Sequence, residues 1–180
     1  MSADAANSGP TALVVMGVSG SGKTTIASRL AKKLGWEFRD GDDFHPPANV
    51  AKMKAGTPLT DQDRKPWLEA IAAWIVGLET EGRHGVVGCS ALKRAYRRIL
   101  VGGAPDAVRI VYLEGSRELI GNRMAKRKGH FMPTGLLDSQ FKTLEPPEAD
   151  ERPITVSIEG EPDAVVDEVV AALQRETGRG

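Results

Sequence analysis

The chain has 180 residues, 41% of them hydrophobic and 27% charged, an ordinary globular balance for one domain with a full core. Its 24 basic and 24 acidic side chains cancel, which excludes a global field drawing it to nucleic acid or to a membrane surface, so any anion site must be local. One cysteine, Cys89, excludes an internal disulfide framework and fits a reducing cytoplasm, and no apolar run approaches the roughly 18–20 residues of a membrane span.

Residues 1–10 (MSADAANSGP) have neither a basic n-region nor an apolar h-region, and are expected to form a disordered tail rather than a signal peptide. That leaves 11–180 as a single domain. Residues 11–16 form a short apolar run of the buried-strand type. It leads directly into Gly17-Val18-Ser19-Gly20-Ser21-Gly22-Lys23-Thr24, a complete GxxxxGK[ST] match. Glycines let successive backbone N–H groups converge on one anion, and the following helix adds its positive N-terminal end. Lys23 reaches β- and γ-phosphates in such a loop and the Thr24 hydroxyl reaches magnesium, so the motif points to a nucleoside triphosphate. Helical spacing of Ile26, Leu30 and Leu34 follows, with Gly35 as a stop.

Residues 36–40 read as a second strand and run into Asp40-Gly41-Asp42-Asp43-Phe44-His45-Pro46-Pro47. While the strand lasts, Asp40 and Asp42 are expected on one face, about 7 Å apart at about 3.3 Å per residue. One carboxylate could hold magnesium through water and the other could accept the proton of an acceptor hydroxyl, the two services phosphoryl transfer asks for besides positioning. The plain alternative is a solvated acidic turn, and Asp43 and His45 fit that alternative better.

Thr60-Asp61-Gln62-Asp63 resembles a capping box, and behind it Trp67, Ile71, Trp74, Ile75 and Leu78 fall on one helix face. Residues 85–90, 108–113 and 154–158 are three further strands, with helical stretches near 91–101, 116–127 and 163–175. Strand–helix alternation of this kind predicts an α/β fold with a parallel sheet covered on both faces and ligands at the carboxyl ends of its strands. Basic residues collect in segments expected at that edge: Lys52, Lys54, Arg64, Lys65, Lys93, Arg94, Arg97 and Arg98. They suit a clamp for an anionic acceptor, though many would equally serve as wet helix faces. Arg123 and Arg127 share a helical face ahead of Gly129, in a segment that reads either as a closing lid or as an exposed salt-bridged helix.

The blocks MGVSGSGKTT, DGDDFHPPANVAKMKAGTPLTDQDRKPWL, CSALKRAYR, VYLEG and KRKGHFMPTGLLDSQFKTLEPP closely resemble the bacterial gluconokinase family, in family order. The segment 58–68 is far more specific than the phosphate loop. The resemblance implies a P-loop kinase with a five-stranded parallel sheet in the order 2-3-1-4-5, a substrate-binding helical insert over about 44–82, and a mobile lid over about 122–145. It implies ATP-dependent phosphorylation of D-gluconate to 6-phosphogluconate, with Mg2+ as partner ion, by a cytoplasmic homodimer that binds neither nucleic acid nor membrane. A shikimate-type or other small-metabolite P-loop kinase is the alternative.

Carried onto this chain, the resemblance gives Lys23, Asp42, Asp40 and Arg127 catalytic roles. ATP falls to residues Gly17, Val18, Ser19, Gly20, Ser21, Gly22, Lys23, Thr24 and Thr25 together with Arg123 and Arg127. The acceptor falls to Asp42, His45, Lys52, Met53, Arg64, Ser90, Arg94, His130 and Gln140, and magnesium to Thr24 and Asp40. One departure stands out: the third strand ends in Cys89-Ser90 with no Walker-B aspartate.

Overall fold

The computed structural model describes residues 9–126 and 134–177. Strand β1 (Ala12–Met16) is buried along its whole length because it lies at the centre of the sheet, between β3 (Gly85–Gly88) and β4 (Val108–Glu114). β2 (Glu37–Asp40) flanks β3, and β5 (Ile154–Ser157) flanks β4. All four pairings are parallel, as strand–helix alternation predicts, and the order is β2-β3-β1-β4-β5, as the family resemblance implies.

Parallel strands need crossovers, and helices supply them on both faces. Side chains alternate across β1. Leu13 and Val15 join the core beneath α1 (Lys23–Leu34) and α7 (Pro162–Thr177). Ala12, Val14 and Met16 face the opposite core, under α3 (Asp61–Thr80) and α4 (Arg94–Val101). α2 (Pro47–Lys54), α5 (Arg117–Ala125) and α6 (Thr134–Thr143) complete the set. Among the described residues no helix is long and apolar enough to cross a membrane.

The capping box at the start of α3 forms with aspartate in the N3 role. Thr60 Oγ1 accepts from the Asp63 N–H at 3.1 Å, and the Asp63 carboxylate accepts from the Thr60 N–H at 2.9 Å. The tail expected over residues 1–10 falls mostly outside the described residues. Pro10 is buried, and its carbonyl accepts from His84 Nδ1 at 3.3 Å. Residues 1–8 lie outside the described chain.

Candidate active site

β1 ends at Met16 and the chain enters the phosphate loop, whose last residue before α1, Gly22, has φ 92°. That left-handed backbone strains any side chain, so glycine is required for conformation alone. The loop is tied to its neighbours: the Gly17 N–H donates to the Ser90 carbonyl at 3.4 Å, next to the end of β3. Lys23 Nζ donates to the Val18 carbonyl at 3.1 Å. Burial pulls the Lys23 ammonium below its ordinary range, while Cys89, Asp42 and Asp40 act in the opposite sense.

Asp40 is brought beside this loop by sheet register. It stands opposite Gly88 of β3, and Gly88 in turn stands opposite Val15 of β1. The expectation that Asp40 and Asp42 share a strand face needs correction. β2 stops at Asp40, and residues Gly41–Phe44 form a 3-10 turn. Asp40 caps that turn, its Oδ1 accepting from the Asp42 N–H at 2.9 Å. The turn packs so closely that a Cβ on Gly41 would lie 2.5 Å from the Gly88 carbonyl oxygen, so only glycine fits. A cap, and not strand alternation, therefore relates the two carboxylates.

The Asp42 side chain is largely exposed, yet its carboxyl is held above the usual carboxylate range, first by partial loss of water and then by the adjacent Asp40. His45 and Lys23 oppose the shift. The His45 side chain is buried, with its ring stacked on Trp67. Trp67, expected only as core, also donates its indole N–H to the Gly41 carbonyl at 2.7 Å. Asp43 is exposed. The Cys89 thiol is fully buried and pushed up to about 12, which makes it an inert core group.

The basic residues divide. Lys52 donates to Asp63 at 2.7 Å, and Arg94 pairs with Glu148 and Asp150, so both are engaged within the protein. Arg64 and Lys93 form a second group, paired with the Asp61 carboxylate beside Tyr96. Lys93 Nζ lies 3.1 Å from both Asp61 oxygens, the Tyr96 hydroxyl donates to Asp61, and Arg64 donates to that hydroxyl at 3.2 Å. Tyr96 and Lys93 hold the Asp61 carboxyl below the usual range. Met53 is 44% exposed. Gln140 reaches the phosphate loop: its Oε1 accepts from the Ser19 N–H at 2.6 Å and its Nε2 donates to Ser19 Oγ at 2.7 Å. Arg127 and His130 lie outside the described residues.

Beside the loop opens a cleft of about 330 Å³. Gly20, Ser21, Gly22, Thr25 and Arg123, all expected on the nucleotide, line it. Ile158, Gly160, Pro162 and Val165 line it too, and sequence reasoning missed them. They come from the β5–α7 connection and the first turn of α7, far along the chain, where no motif marks them.

A family model described as an AAA domain matches residues 13–147. A gluconokinase from Gluconobacter oxydans (strain 621H) is 49% identical over 167 residues, which cover 93% of this chain and 93% of that protein. The chain belongs to the gluconokinase family. The crystal structure of a gluconokinase from Sinorhizobium meliloti 1021 has a TM-score of 0.84 to it at 44% identity, covering 94% of this chain and 95% of that one. A shikimate kinase from Aquifex aeolicus vf5, with a TM-score of 0.58 at 17% identity, shares the fold alone. For this gluconokinase-family chain the block 58–68 acquires a structural meaning. It builds the first turns of α3, from which Asp61, Asp63, Arg64 and Trp67 reach α4, α2 and the acidic turn.

Proposed function

We propose that the protein transfers the γ-phosphoryl group of ATP to the terminal hydroxyl of D-gluconate, giving ADP and 6-phosphogluconate. The observation that carries this reading is the meeting of the phosphate loop and the Asp40–Asp42 turn at one sheet edge, in a chain with gluconokinase relatives along nearly its full length.

The chemistry follows from the groups present. Backbone N–H groups of residues 17–24 and the N-terminus of α1 hold the phosphates, with Lys23 placed to follow the charge that develops on transfer. Asp42 receives the proton of the acceptor hydroxyl, whose oxygen bonds to the γ-phosphorus as the bond to ADP breaks and the electron pair leaves with ADP. Its raised pKa makes it a better base than an ordinary surface aspartate. Arg64 and Lys93, gathered around Asp61 and Tyr96, are the cations that would turn to the acceptor's carboxylate.

Among the described residues no cluster of three or more His, Cys, Asp or Glu forms a metal cage. That fits Mg2+ arriving with the nucleotide, held by one carboxylate and by phosphates rather than by a dedicated protein site. Thr24 and Asp40 would hold it, Asp40 through the oxygen its cap does not use, and it would supply charge neutralisation on the phosphates. We further propose a cytoplasmic homodimer. Light scattering should then give twice the 19.3 kDa chain mass.

A coupled assay of ADP release with ATP and a panel of sugar acids tests the activity. ADP release dependent on D-gluconate, with 6-phosphogluconate as product, is expected. Release driven by shikimate but not by any aldonate would overturn the reading.

A further inference from the structure

Asn49 is 3% exposed and sits in the first turn of α2. Its carboxamide nitrogen makes two contacts, 2.9 Å to the Asp63 backbone carbonyl and 3.2 Å to His45 Nδ1. A carbonyl oxygen only accepts, so the group facing Asp63 must be the NH2, and the orientation of the amide is settled. That same NH2 has only hydrogens to offer His45, so Nδ1 presents its lone pair. A neutral imidazole then carries its one proton on Nε2. Nε2 faces Asp42 Oδ1 at 3.7 Å.

Two further observations fix the ring. Trp67 stacks on it with centroids 4.3 Å apart and planes 15° apart, while its own indole N–H holds the Gly41 carbonyl. One side chain thus sets both the plane of the imidazole and the position of the turn that carries Asp42. Burial, with help from Arg64, keeps the ring below its ordinary pKa against the pull of Asp42, so it is neutral at physiological pH.

We propose that His45 is a positioning residue for the acceptor-side base. Asn49 fixes its tautomer, Trp67 fixes its plane, and its Nε2–H aims one oxygen of Asp42 so that the other meets the substrate hydroxyl. The separation of 3.7 Å is too long for a hydrogen bond in this state, and catalytic contacts of this kind tighten when substrate is bound. The proton stays on Nε2 throughout, so His45 exchanges nothing with the substrate. The proposal rests on Asp42 as the base of the reaction described above.

The test has a spectroscopic and a kinetic arm. The chain has three histidines, His45, His84 and His130, so the long-range 1H–15N spectrum of the imidazoles holds three ring patterns. The His45→Gln variant identifies one of them by its loss. The expected pattern for His45 is neutral with the proton on Nε2. A proton on Nδ1, or a doubly protonated ring at neutral pH, would overturn the proposal.

In the kinetic arm, His45→Phe keeps the stack on Trp67 but removes the donor. Because small misplacements of a catalytic group cost up to about 10²-fold, kcat should fall about 10–100-fold while KM for ATP stays put. In His45→Gln the carboxamide nitrogen reaches the place of Nε2, and most of kcat should return. A purely structural histidine predicts otherwise: Phe, the better stacking partner, would match or exceed Gln, and that result would sink the idea. The tautomer is read without substrate, and gluconate turnover is read on the unmodified protein. Failure of the positioning role is therefore distinguishable from failure of the gluconate reading.

Discussion

The indole N–H of Trp67 donates to the backbone carbonyl of Gly41 across 2.7 Å, fastening α3 to the turn between Asp40 and Asp42. Trp67 is 4% exposed and Gly41 is buried, so this bond has no water to replace it. Trp67→Phe keeps an aromatic ring in the core but removes the donor, leaving the Gly41 carbonyl only the bond inside its own 3-10 turn. One net hydrogen bond is worth about 0.5–1.5 kcal/mol, so the urea midpoint should drop by a corresponding amount. The turn should also loosen, lowering kcat more than it disturbs KM for ATP. A variant with unchanged stability and turnover would show that the bond positions nothing.

Three strands of the sheet were legible because they are short buried apolar runs: β1, β3 and β4 occur where the runs 11–16, 85–90 and 108–113 predict them, within one or two residues. The individual helices α2 and α6 were not. α2 has eight residues, no apolar stripe, and an exposed Met53; what holds it is the Asn49 amide on Asp63, a contact that local sequence does not announce. The acidic turn was half legible. Its residues were visible, but the end of β2 depends on Asp40 capping and on Gly41 lying against the Gly88 carbonyl, both tertiary facts. Spacing also could not say which partner each basic residue meets. Lys52 and Arg64 look alike in sequence, yet one is held by Asp63 and the other by Tyr96 beside Asp61.

Gln140 holds the Ser19 N–H, a phosphate-loop donor with a single hydrogen to give. If a phosphate oxygen takes that hydrogen, Gln140 must release it. Gln140→Ala removes the competitor, and one net hydrogen bond is worth about 0.5–1.5 kcal/mol. The Kd of a non-hydrolysable ATP analogue should therefore tighten about 2–12-fold by calorimetry. Weaker binding would mean that Gln140 helps to hold the nucleotide rather than standing in for it.

Asp63 joins α2 to α3 through Lys52 and closes the Thr60 cap, and these partners bring its carboxyl from 3.8 down to about 2. The folded state thus favours the ionised form more than the unfolded state does. That contribution is complete above about pH 4 and is lost as pH falls toward about 2. Asp63→Asn should lower the urea midpoint at neutral pH. The gap between variant and parent should narrow through that acid window and close at its lower end. A gap that is constant with pH would assign the effect to packing.

The two carboxylates of the acidic turn should fail in different ways when neutralised. Asp42→Asn keeps size and a hydrogen-bonding oxygen but removes basicity. General-base help is worth about 10²–10⁴, so kcat should fall by that order while the affinity for ATP barely moves. Asp40→Asn retains an oxygen able to accept from the Asp42 N–H, so the 2.9 Å cap and the turn survive and only the charge near the phosphates is lost. Its defect should be partly relieved by excess magnesium, which cannot rescue a missing base. Asp43→Asn is the control, since it neutralises a carboxylate of the same turn. Titrating all three variants with magnesium, gluconate and ATP separates the roles. Normal turnover in Asp42→Asn with a dead Asp43→Asn would move the base by one residue. Three silent substitutions would reduce the cluster to a solvated turn, because a carboxylate that takes a proton in the transition state cannot be neutralised without consequence.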